Sequence, residues 1–305
     1  MFKKTNLKIV SFGEILYDVF GEEKKVGGAP LNLALRTRSF GFTTTIISAV
    51  GDDKNGQDLK KYIEDNGVEI NNVMTDPEHE TGLVQVYLNE RGSATYDIKF
   101  PSAWDFIKGN ESIRSSVLET DIFFFGSLVC RNEVSKNTLL ELLHSNPGMY
   151  KIFDVNLRPP YYSIELLKEL MDEADFIKFN DDEILEIASG LGFQSDTLED
   201  NIQFIAKTTN SKGICVTRGK HGSILLWENS FHYHNGFTVK VVDTVGAGDS
   251  YLAALITKLI SDGDPQKALD FASAVGAIVA CHPGANPQIE NSAIEDFLKR
   301  DALQH

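Results

Sequence analysis

The segment 243–249 combines glycine and carboxylate residues at a spacing that suits phosphate chemistry, with the sequence DTVGAGD. Residues 237–242 predict a strand and residues 250–260 a helix, so we expect the glycines to form a turn that opens a helix. N–H groups at a helix N-terminus bind anions, and a carboxylate there can accept the proton of an attacking hydroxyl. The pattern therefore predicts an anion site where Gly246, Ala247 and Gly248 open the helix, with Asp249 able to accept a proton there.

Asp249 has a simpler interpretation as a first-turn acid that complements the helix dipole. Two acids that bracket the turn, Asp243 and Asp249, exceed what this interpretation needs, so we favour the chemical one. Two other phosphate loops fail on their residues. The dinucleotide fingerprint GxGxxG needs a third glycine three residues after Gly248, and this position is Tyr251. A Walker A loop, GxxxxGK[ST], needs a lysine directly after its second glycine, and the residue after Gly56 is Gln57. A nicotinamide-dependent oxidoreductase is therefore disfavoured.

A second glycine-rich segment lies near the N-terminus at Gly27–Ala34, with the sequence GGAPLNLA. Its glycines, Gly28 among them, permit close approach of a ligand, and the Asn32 amide offers donors and an acceptor. Asp18, at the end of a short predicted strand, can accept hydrogen bonds from hydroxyl groups of a ligand. The alternative is a plain glycine-rich turn before a helix.

Polar side chains also follow a predicted strand in the middle of the chain. Period-two alternation puts Asp154, Asn156 and Arg158 on one face at the carboxyl end of this strand. Ligands of open α/β sheets bind at that end. The three residues are therefore candidates for a binding site.

Two further junctions carry polar residues after predicted strands. The segment Asn180–Glu183 suits Mg²⁺ and its waters, or it forms a capping box in which Asn180 and Glu183 cap a helix. The segment Thr217–Gly222 either meets the phosphates of a nucleotide or forms a hairpin turn. The sequence leaves both alternatives open at both junctions.

The chain of 305 residues carries 29 Lys and Arg against 44 Asp and Glu, a formal charge of −15. This excess of acid disfavours nucleic acid and anionic membranes, which proteins bind mainly through Lys and Arg. A phosphorylated small ligand is still compatible with this charge, if backbone N–H groups, Mg²⁺ and a few well-placed cations hold it.

The three cysteines show no CxxC spacing and indicate reduced core thiols, and no apolar span is long enough to cross a bilayer. We expect a soluble, cytoplasmic protein.

Short apolar runs alternate with helical patterns along the chain. The predicted strands cover 7–12, 45–50, 121–125, 150–155, 176–179 and 213–217, and the predicted helices cover 30–40, 54–66, 133–145, 163–173 and 196–207. This alternation predicts an α/β fold with a doubly wound, mostly parallel sheet flanked by helices. We expect a single domain over 1–305, because the motifs need both ends of the chain.

Two segments break the alternation. Residues 15–20 predict a short strand, and residues 81–100 predict a long hairpin around the turn Asn89–Ser93. Neither segment is followed by a helix, so we expect a small β-sheet lid, formed by about 14–26 and 81–103, over a ligand crevice. The alternatives are an edge extension of the main sheet and a dimerisation surface that makes the chain a homodimer.

In this order, the motifs resemble those of the ribokinase-like (PfkB) family of carbohydrate kinases, from about Phe12 to Asn286. GGAPLNLA resembles the sugar-side motif of the family and DTVGAGDS its C-terminal motif. Asp154–Asn156–Arg158 and the GGAP–N–A pattern are similar to the fructokinase branch in particular. The resemblance implies that a phosphoryl group moves from ATP to a sugar hydroxyl with Mg²⁺ as cofactor. It also implies K⁺ near Val245 and the stretch 281–286.

The resemblance implies a role for each site residue. Asp249 is then the catalytic base, the N–H groups of Gly246–Gly248 bind the transferred γ-phosphoryl group, and Arg158 lies between sugar and phosphates. Residues that hold the sugar are Asp18, Gly28, Asn32 and Asp243, with Tyr96 of the lid touching it. Residues of the ATP site are Thr217, Gly219 and Gly222, while Asn180 and Glu183 position Mg²⁺ and its waters.

Fructose, converted to fructose 6-phosphate, is the expected acceptor. A phosphorylated acceptor would need further cations near the sugar besides Arg158, and only Arg36 and Arg38 are candidates. Ribose and 2-keto-3-deoxygluconate are alternative acceptors, and a nucleoside fits worst because the lid sequence offers no apolar slot for a base. A non-catalytic sugar-binding protein on the same scaffold is expected to lose Asp249 or the GAG turn, and both are intact.

Overall fold

The computed structural model of the chain describes residues 7–88, 94–209 and 211–301. The chain forms two compact units, one over Asn6–Met149 and the other from Tyr150 onward. Each unit contains parallel strands alternating with helices, as buried strands joined by helical crossovers require.

The N-terminal unit contains eight of the described strands and four of the described helices. The strands are β1 Lys8–Phe12, β2 Leu16–Phe20, β3 Glu23–Gly27, β4 Thr43–Gly51, β5 Val73–Asp76, β6 Gly82–Leu88, β7 Ala94–Ile98 and β8 Ile122–Gly126. The helices are α1 Ala29–Ser39, α2 Lys54–Asp65, α3 Glu111–Leu118 and α4 Glu133–Ser145. Strand β1 pairs in parallel with β4 and β8, and β4 pairs in parallel with β5.

The remaining strands of this unit form a separate small sheet in the order β3-β2-β6-β7. Strand β2 pairs antiparallel with β3 and in parallel with β6, and β6 pairs antiparallel with β7. The small sheet expected from 14–26 and 81–103 is thus present, and the turn Asn89–Ser93 lies outside the described residues. The roles of this sheet as a lid and as a dimerisation surface stay predictions, as does the single-domain organisation.

The C-terminal unit contains five of the described strands and six of the described helices. The strands are β9 Tyr150–Asp154, β10 Phe176–Asn180, β11 Gly213–Thr217, β12 Ser223–Trp227 and β13 Ser230–His234. The helices are α5 Ile164–Glu173, α6 Asp181–Gly190, α7 Leu198–Thr209, α8 Ala247–Asp262, α9 Pro265–Ala280 and α10 Asn291–Asp301. Strand β10 pairs in parallel with β9 and β11, whereas β11, β12 and β13 form antiparallel hairpins.

Helices α8 and α9 pack against each other as the most apolar pair of this unit. The Asp264 side chain caps α9 by accepting hydrogen bonds from the N–H groups of Gln266 and Lys267, and Pro265 follows at the first helical position. Each strand and helix predicted from the alternation is present, and the mostly parallel α/β class is confirmed. No helix in the described part of the chain is long and apolar enough to span a membrane.

One predicted strand was wrong, because residues 237–242 have no strand structure. Gly236 has a left-handed φ of 80°, which turns the chain away from β13. Val241 and Val242 are consecutive and both 57% exposed, which a strand with one buried face does not allow. The N–H of Val242 donates instead to the carbonyl of Ala280 at 2.8 Å. The apolar run is therefore an irregular segment held against the end of α9.

A buried ion pair ties the small sheet to its own unit. Arg131 Nε and Nη2 lie 2.7 and 2.8 Å from the two carboxylate oxygens of Asp105, and these side chains are 1% and 0% exposed. Arg131 also donates to the carbonyl of Lys99, next to the end of β7, at 2.6 Å. Its guanidinium lies over the ring of Trp104 at 4.0 Å.

We predict that Asp105→Ala lowers the free energy of unfolding by about 3–5 kcal/mol, because it leaves a buried guanidinium without its counter-charge. Urea denaturation followed by circular dichroism measures the change. Glu141→Ala is the control, since it breaks an Arg114–Glu141 pair whose side chains are 47% and 50% exposed and whose loss should barely be resolved from wild type. Equal destabilisation by the two variants would contradict the assignment.

Candidate active site

The glycine-rich turn lies where the sequence predicted it, immediately before α8. Gly246 caps the helix in a left-handed conformation with φ 73° and without a side-chain hydrogen bond. A Cβ on this residue would lie 2.5 Å from the Cβ and 2.6 Å from the Cα of Ala285. Only glycine satisfies both the backbone conformation and this contact.

The first turn of α8 presents backbone N–H groups at its open end. The first hydrogen bond of the helix runs from the N–H of Ser250 to the carbonyl of Gly246, at 2.9 Å. The N–H of Ala247 donates to the carbonyl of Thr244 at 3.2 Å. One of the three predicted donors is thus engaged within the turn, and the anion-binding role of the turn stays a prediction. Asp249 lies in the same first turn and is half-buried.

A buried lysine lies beneath this turn, which the sequence reasoning missed. Lys178, in β10, places Nζ 3.0 Å from Oδ1 of Asp154, and the side chains are 8% and 2% exposed. A Cβ on Gly248 would lie 3.5 Å from the same Nζ. Burial by itself lowers the pKa of Lys178, but the carboxylates of Asp154, Glu183 and Asp249 outweigh it and raise this pKa above its usual value. The ammonium is therefore a permanent positive charge at the helix N-terminus.

A cavity of about 470 Å³ opens beside the turn, entirely within the C-terminal unit. Its wall includes the predicted nucleotide residues Thr217, Gly219 and Gly222, together with Ala247 and Gly248 of the turn. Between β11 and β12 the chain makes the hairpin that was the alternative for 217–222, with a short 3₁₀ turn at Gly219–His221. The hairpin and the ligand-lining interpretations therefore describe the same segment.

Several cavity residues escaped the sequence reasoning. The irregular segment contributes Phe237, Val239 and Val241, which the apolar pattern had assigned to a strand. Helix α9 contributes Ser273, Gly276, Ala277 and Ala280. These four small residues recur at i, i+3, i+4 and i+7, a spacing that puts them on one helix face and that could have identified the wall.

The polar residues after β9 are arranged differently from the prediction. The strand ends at Asp154, and Asn156 has a left-handed φ of 41°. The period-two alternation therefore stops, and Asn156 and Arg158 belong to a loop, which we call the Arg158 loop (residues 155–163), instead of one strand face. Arg158 Nη1 donates to the carbonyl of Leu157 at 2.9 Å, and the side chain is partly exposed.

The Asn180–Glu183 junction forms the capping box that was its alternative. Asn180 Oδ1 accepts from the N–H of Glu183 at 2.8 Å, and Glu183 Oε2 accepts from the N–H of Asn180 at 2.7 Å. The second oxygen, Oε1, accepts from the N–H of Leu157 at 3.0 Å. Both carboxylate oxygens thus bind backbone donors, and Asn180 does not line the cavity. In the described ranges, no three His, Cys, Asp or Glu side chains cluster as a metal site.

Asp243 joins the turn to the segment after α9. Its Oδ1 accepts from the N–H of Val245 at 3.0 Å, and its Oδ2 accepts from the N–H of Gly284 at 3.1 Å. The two stretches expected to hold K⁺, around Val245 and at 281–286, are therefore adjacent. The described contacts of Asp243 organise the turn itself, and its sugar-binding role stays a prediction.

The predicted sugar-side residues all lie in the N-terminal unit. Gly28 caps α1 with φ 106°, and a Cβ there would lie 2.4 Å from the carbonyl oxygen of Glu14. Asn32 is 3% exposed on α1. In the small sheet, Asp18 pairs with Val84 of β6, and Tyr96 pairs two residues further along with Val86. Directly paired residues share a face, so Asp18 and Tyr96 lie on the same side of this sheet.

Comparisons with known proteins agree with this architecture. Residues 3–292 match the model of the pfkB family carbohydrate kinases. The sequence is 30% identical to probable fructokinase-5 of Arabidopsis thaliana, over 93% of this chain and 95% of that protein. In structure, it is similar to a fructokinase from Xylella fastidiosa with bound ATP, with a TM-score of 0.86, 21% identity, and coverage of 97% of this chain and 99% of that one. It is also similar to a Vibrio cholerae O395 fructokinase bound to fructose, ADP and calcium, with a TM-score of 0.84, 24% identity, and coverage of 97% and 100%.

The family match puts the chain in the carbohydrate kinase class of phosphotransferases. The match covers nearly the whole sequence, so the chain belongs to the pfkB family of carbohydrate kinases. The resemblance drawn from the motifs is confirmed.

We predict that Gly246→Ala lowers kcat at least 100-fold and destabilises the protein, because its Cβ would collide with Ala285. Gly263→Ala is the matched control, since Gly263 ends the same helix with φ 71° and has nothing within 4 Å of its Cβ position. The control should cost about 1–2 kcal/mol of stability and leave kcat unchanged. Kinase assays and thermal unfolding of both variants test this, and equal kcat values would refute the role of the close contact.

We also predict that Cys215, behind the cavity wall, resists alkylation in the folded protein. Burial raises the pKa of the Cys215 thiol to about 12, so only about one molecule in 10⁴ carries the thiolate at pH 8. The half-buried Cys281 should react first with iodoacetamide at pH 8, as read by peptide mass spectrometry. Labelling in urea is the positive control, and equal rates for both cysteines in folded protein would contradict the prediction.

Proposed function

We propose that the protein transfers the γ-phosphoryl group of ATP to fructose and forms fructose 6-phosphate. The observation that supports this best is the left-handed Gly246, which opens α8 beside the cavity and puts Asp249 in the first turn. A helix N-terminus with an acid next to it suits a reaction that needs both an anion hole and a base.

ATP fits the cavity by size and by chemistry. Its volume of about 470 Å³ lies within the range of small-molecule sites. The apolar residues Phe237, Val239 and Val241 suit a nucleobase, whereas Gly248 and the N-terminus of α8 suit phosphates. The Lys178 ammonium adds positive charge on the same side.

In the proposed reaction, a sugar hydroxyl oxygen attacks the γ-phosphorus while the bond from this phosphorus to the β–γ bridging oxygen breaks. The hydroxyl proton passes to the Asp249 carboxylate, and ADP leaves. The helix N-terminus stabilises the charge on the transferred group, a contribution of about 2.7–4 kcal/mol for each well-placed donor. Arg158 supports the phosphates from the loop after β9. The positioning of both substrates supplies the largest share, on the order of 7–11 kcal/mol.

Mg²⁺ would enter with the nucleotide as the counter-ion of its phosphates. We place Glu183 outside the direct ligands of the metal, because its side chain is 6% exposed and each of its oxygens is already oriented by a backbone N–H. Asn180 and Glu183 would then act on the metal only through its waters. K⁺ would bind where Asp243 joins Val245 to Gly284.

Fructose is supported as the acceptor by the relatives, which are named fructokinases. A phosphorylated sugar is disfavoured because the candidate cations are engaged elsewhere. Arg36 is 3% exposed, and Arg38 Nε donates to the carbonyl of Gly67 at 2.8 Å.

Asp18 and Tyr96, on one face of the small sheet, are proposed to contact the sugar from a lid. Gly28 and Asn32 are proposed to contact it from the start of α1. Tyr87 is exposed on the face of the same sheet opposite to Tyr96, and the proposed homodimer contact uses that face.

We predict that Asp249→Asn lowers kcat roughly 10²–10⁴-fold and leaves the affinity for the sugar nearly unchanged, because the amide cannot accept the proton. ADP release measures turnover with MgATP and fructose, ribose, glucose, 2-keto-3-deoxygluconate, adenosine or fructose 6-phosphate. Asp262→Asn, at the other end of α8, is the control for loss of one negative charge and should be fully active.

Each outcome of this experiment has a distinct meaning. Fructose-dependent turnover that Asp249→Asn abolishes supports donor, acceptor and base together. Turnover with ribose or 2-keto-3-deoxygluconate instead keeps the mechanism and replaces the substrate. Near-wild-type turnover of Asp249→Asn refutes the base, and ATP binding without turnover on any acceptor favours a sugar-binding protein.

A further inference from the structure

The carboxylate of Glu183 connects two backbone segments that lie on either side of it. It closes the capping box of α6 with Oε2 and accepts the N–H of Leu157 with Oε1, at 2.7 and 3.0 Å. The side chain is 6% exposed. A buried carboxylate with a backbone donor on each oxygen is satisfied by hydrogen bonds from the protein. Its geometry is that of a clamp between α6 and the Arg158 loop.

The Arg158 loop has a conformation that needs such a clamp. Asn156, two residues before Arg158, has a left-handed φ of 41°, which L side chains rarely adopt. The clamped N–H belongs to Leu157, the residue that links Asn156 to Arg158. A turn then follows, in which the N–H of Tyr161 donates to the carbonyl of Arg158 at 2.8 Å. Release of Leu157 would therefore free the backbone on which the guanidinium is mounted.

A second contact between the same elements offers an internal comparison. Glu186, one turn after Glu183 on α6, accepts a hydrogen bond from the Tyr162 hydroxyl at 2.5 Å. This contact is exposed, and it holds the far end of the loop by a side chain, not by the backbone. Exposed contacts of this kind contribute little to positioning. Loss of the Tyr162 hydroxyl should therefore leave Arg158 in place.

We propose that Glu183 is a positioning residue, which holds the Arg158 loop so that Arg158 reaches the transferred phosphoryl group. This inference rests on the proposed kinase function. It differs from direct coordination of Mg²⁺ by Glu183, because the larger part of its effect on the reaction passes through Arg158.

A double-mutant cycle between Glu183→Gln and Arg158→Ala separates the two roles. Glutamine keeps one acceptor oxygen and turns an NH₂ group towards the other backbone N–H, so the clamp opens. Alone, Glu183→Gln should lower kcat roughly 10-fold to 100-fold with little change in KM for MgATP or in the Mg²⁺ requirement. In the Arg158→Ala background, the same change should lower kcat less than about twofold. Tyr162→Phe should stay within about twofold of wild type.

Hydrogen–deuterium exchange of the peptide covering residues 155–163 provides a readout that needs no substrate. Glu183→Gln should speed exchange there about 10-fold or more, and Tyr162→Phe should not. If wild-type protein phosphorylates no sugar, the proposed function fails while the exchange data still decide the clamp. Thermal unfolding checks both variants, and Glu183→Asp, one methylene shorter, replaces Glu183→Gln if the latter does not fold.

Three results would overturn the inference. One is unchanged exchange in a folded Glu183 variant. The second is a fully additive cycle, in which Glu183→Gln costs as much without the Arg158 guanidinium as with it. The third is recovery of the activity of Glu183→Gln at high free Mg²⁺, which would indicate that Glu183 acts by binding the metal.

Discussion

The C-terminal unit is organised around one buried ammonium group. Lys178 Nζ lies 3.0 Å from Asp154 and beneath the first turn of α8, and the carboxylates of Asp154, Glu183 and Asp249 all act on its pKa. Loss of either partner of a buried ion pair leaves an uncompensated charge and typically costs about 3–5 kcal/mol. The lysine therefore holds β9 and β10 together and offsets part of the negative charge of these carboxylates beneath the helix N-terminus.

This arrangement resolves an apparent conflict between net charge and ligand. A chain with a formal charge of −15 repels a polyanion at long range, but this repulsion is screened beyond about 10 Å at moderate ionic strength. At contact distance, fixed donors such as the N–H groups at a helix N-terminus outweigh this repulsion, and in the proposed function the N-terminus of α8 has this role. The protein needs few surface cations to bind phosphates as long as Gly246 keeps this helix end open.

The sequence predicted the elements well and the irregular segments poorly. A buried parallel strand such as β8 is a continuous apolar run, and a turn such as GAG carries its own chemical signature. Residues 237–242 were wrongly predicted as a strand, because an irregular segment that forms the apolar wall of a cavity has the same composition as a strand. Lys178 was missed because its role depends on its position beneath α8, a helix that begins about 70 residues later in the sequence. Pairwise proximity of this kind is a property of the fold and not of any local pattern.

The Asn180–Glu183 junction shows why a motif can name the correct residue and the wrong contact. An acid three residues after a helix cap is typical both of a capping box and of a carboxylate near a metal, so spacing alone cannot separate them. The structure adds the N–H of Leu157, which comes from a different strand-to-helix connection. Because a carboxylate oxygen that faces a backbone donor is already oriented, its strongest influence is on the segment that donates to it. The Arg158 loop, with its left-handed Asn156, is that segment, and the chemistry assigned to the motif therefore acts through the loop.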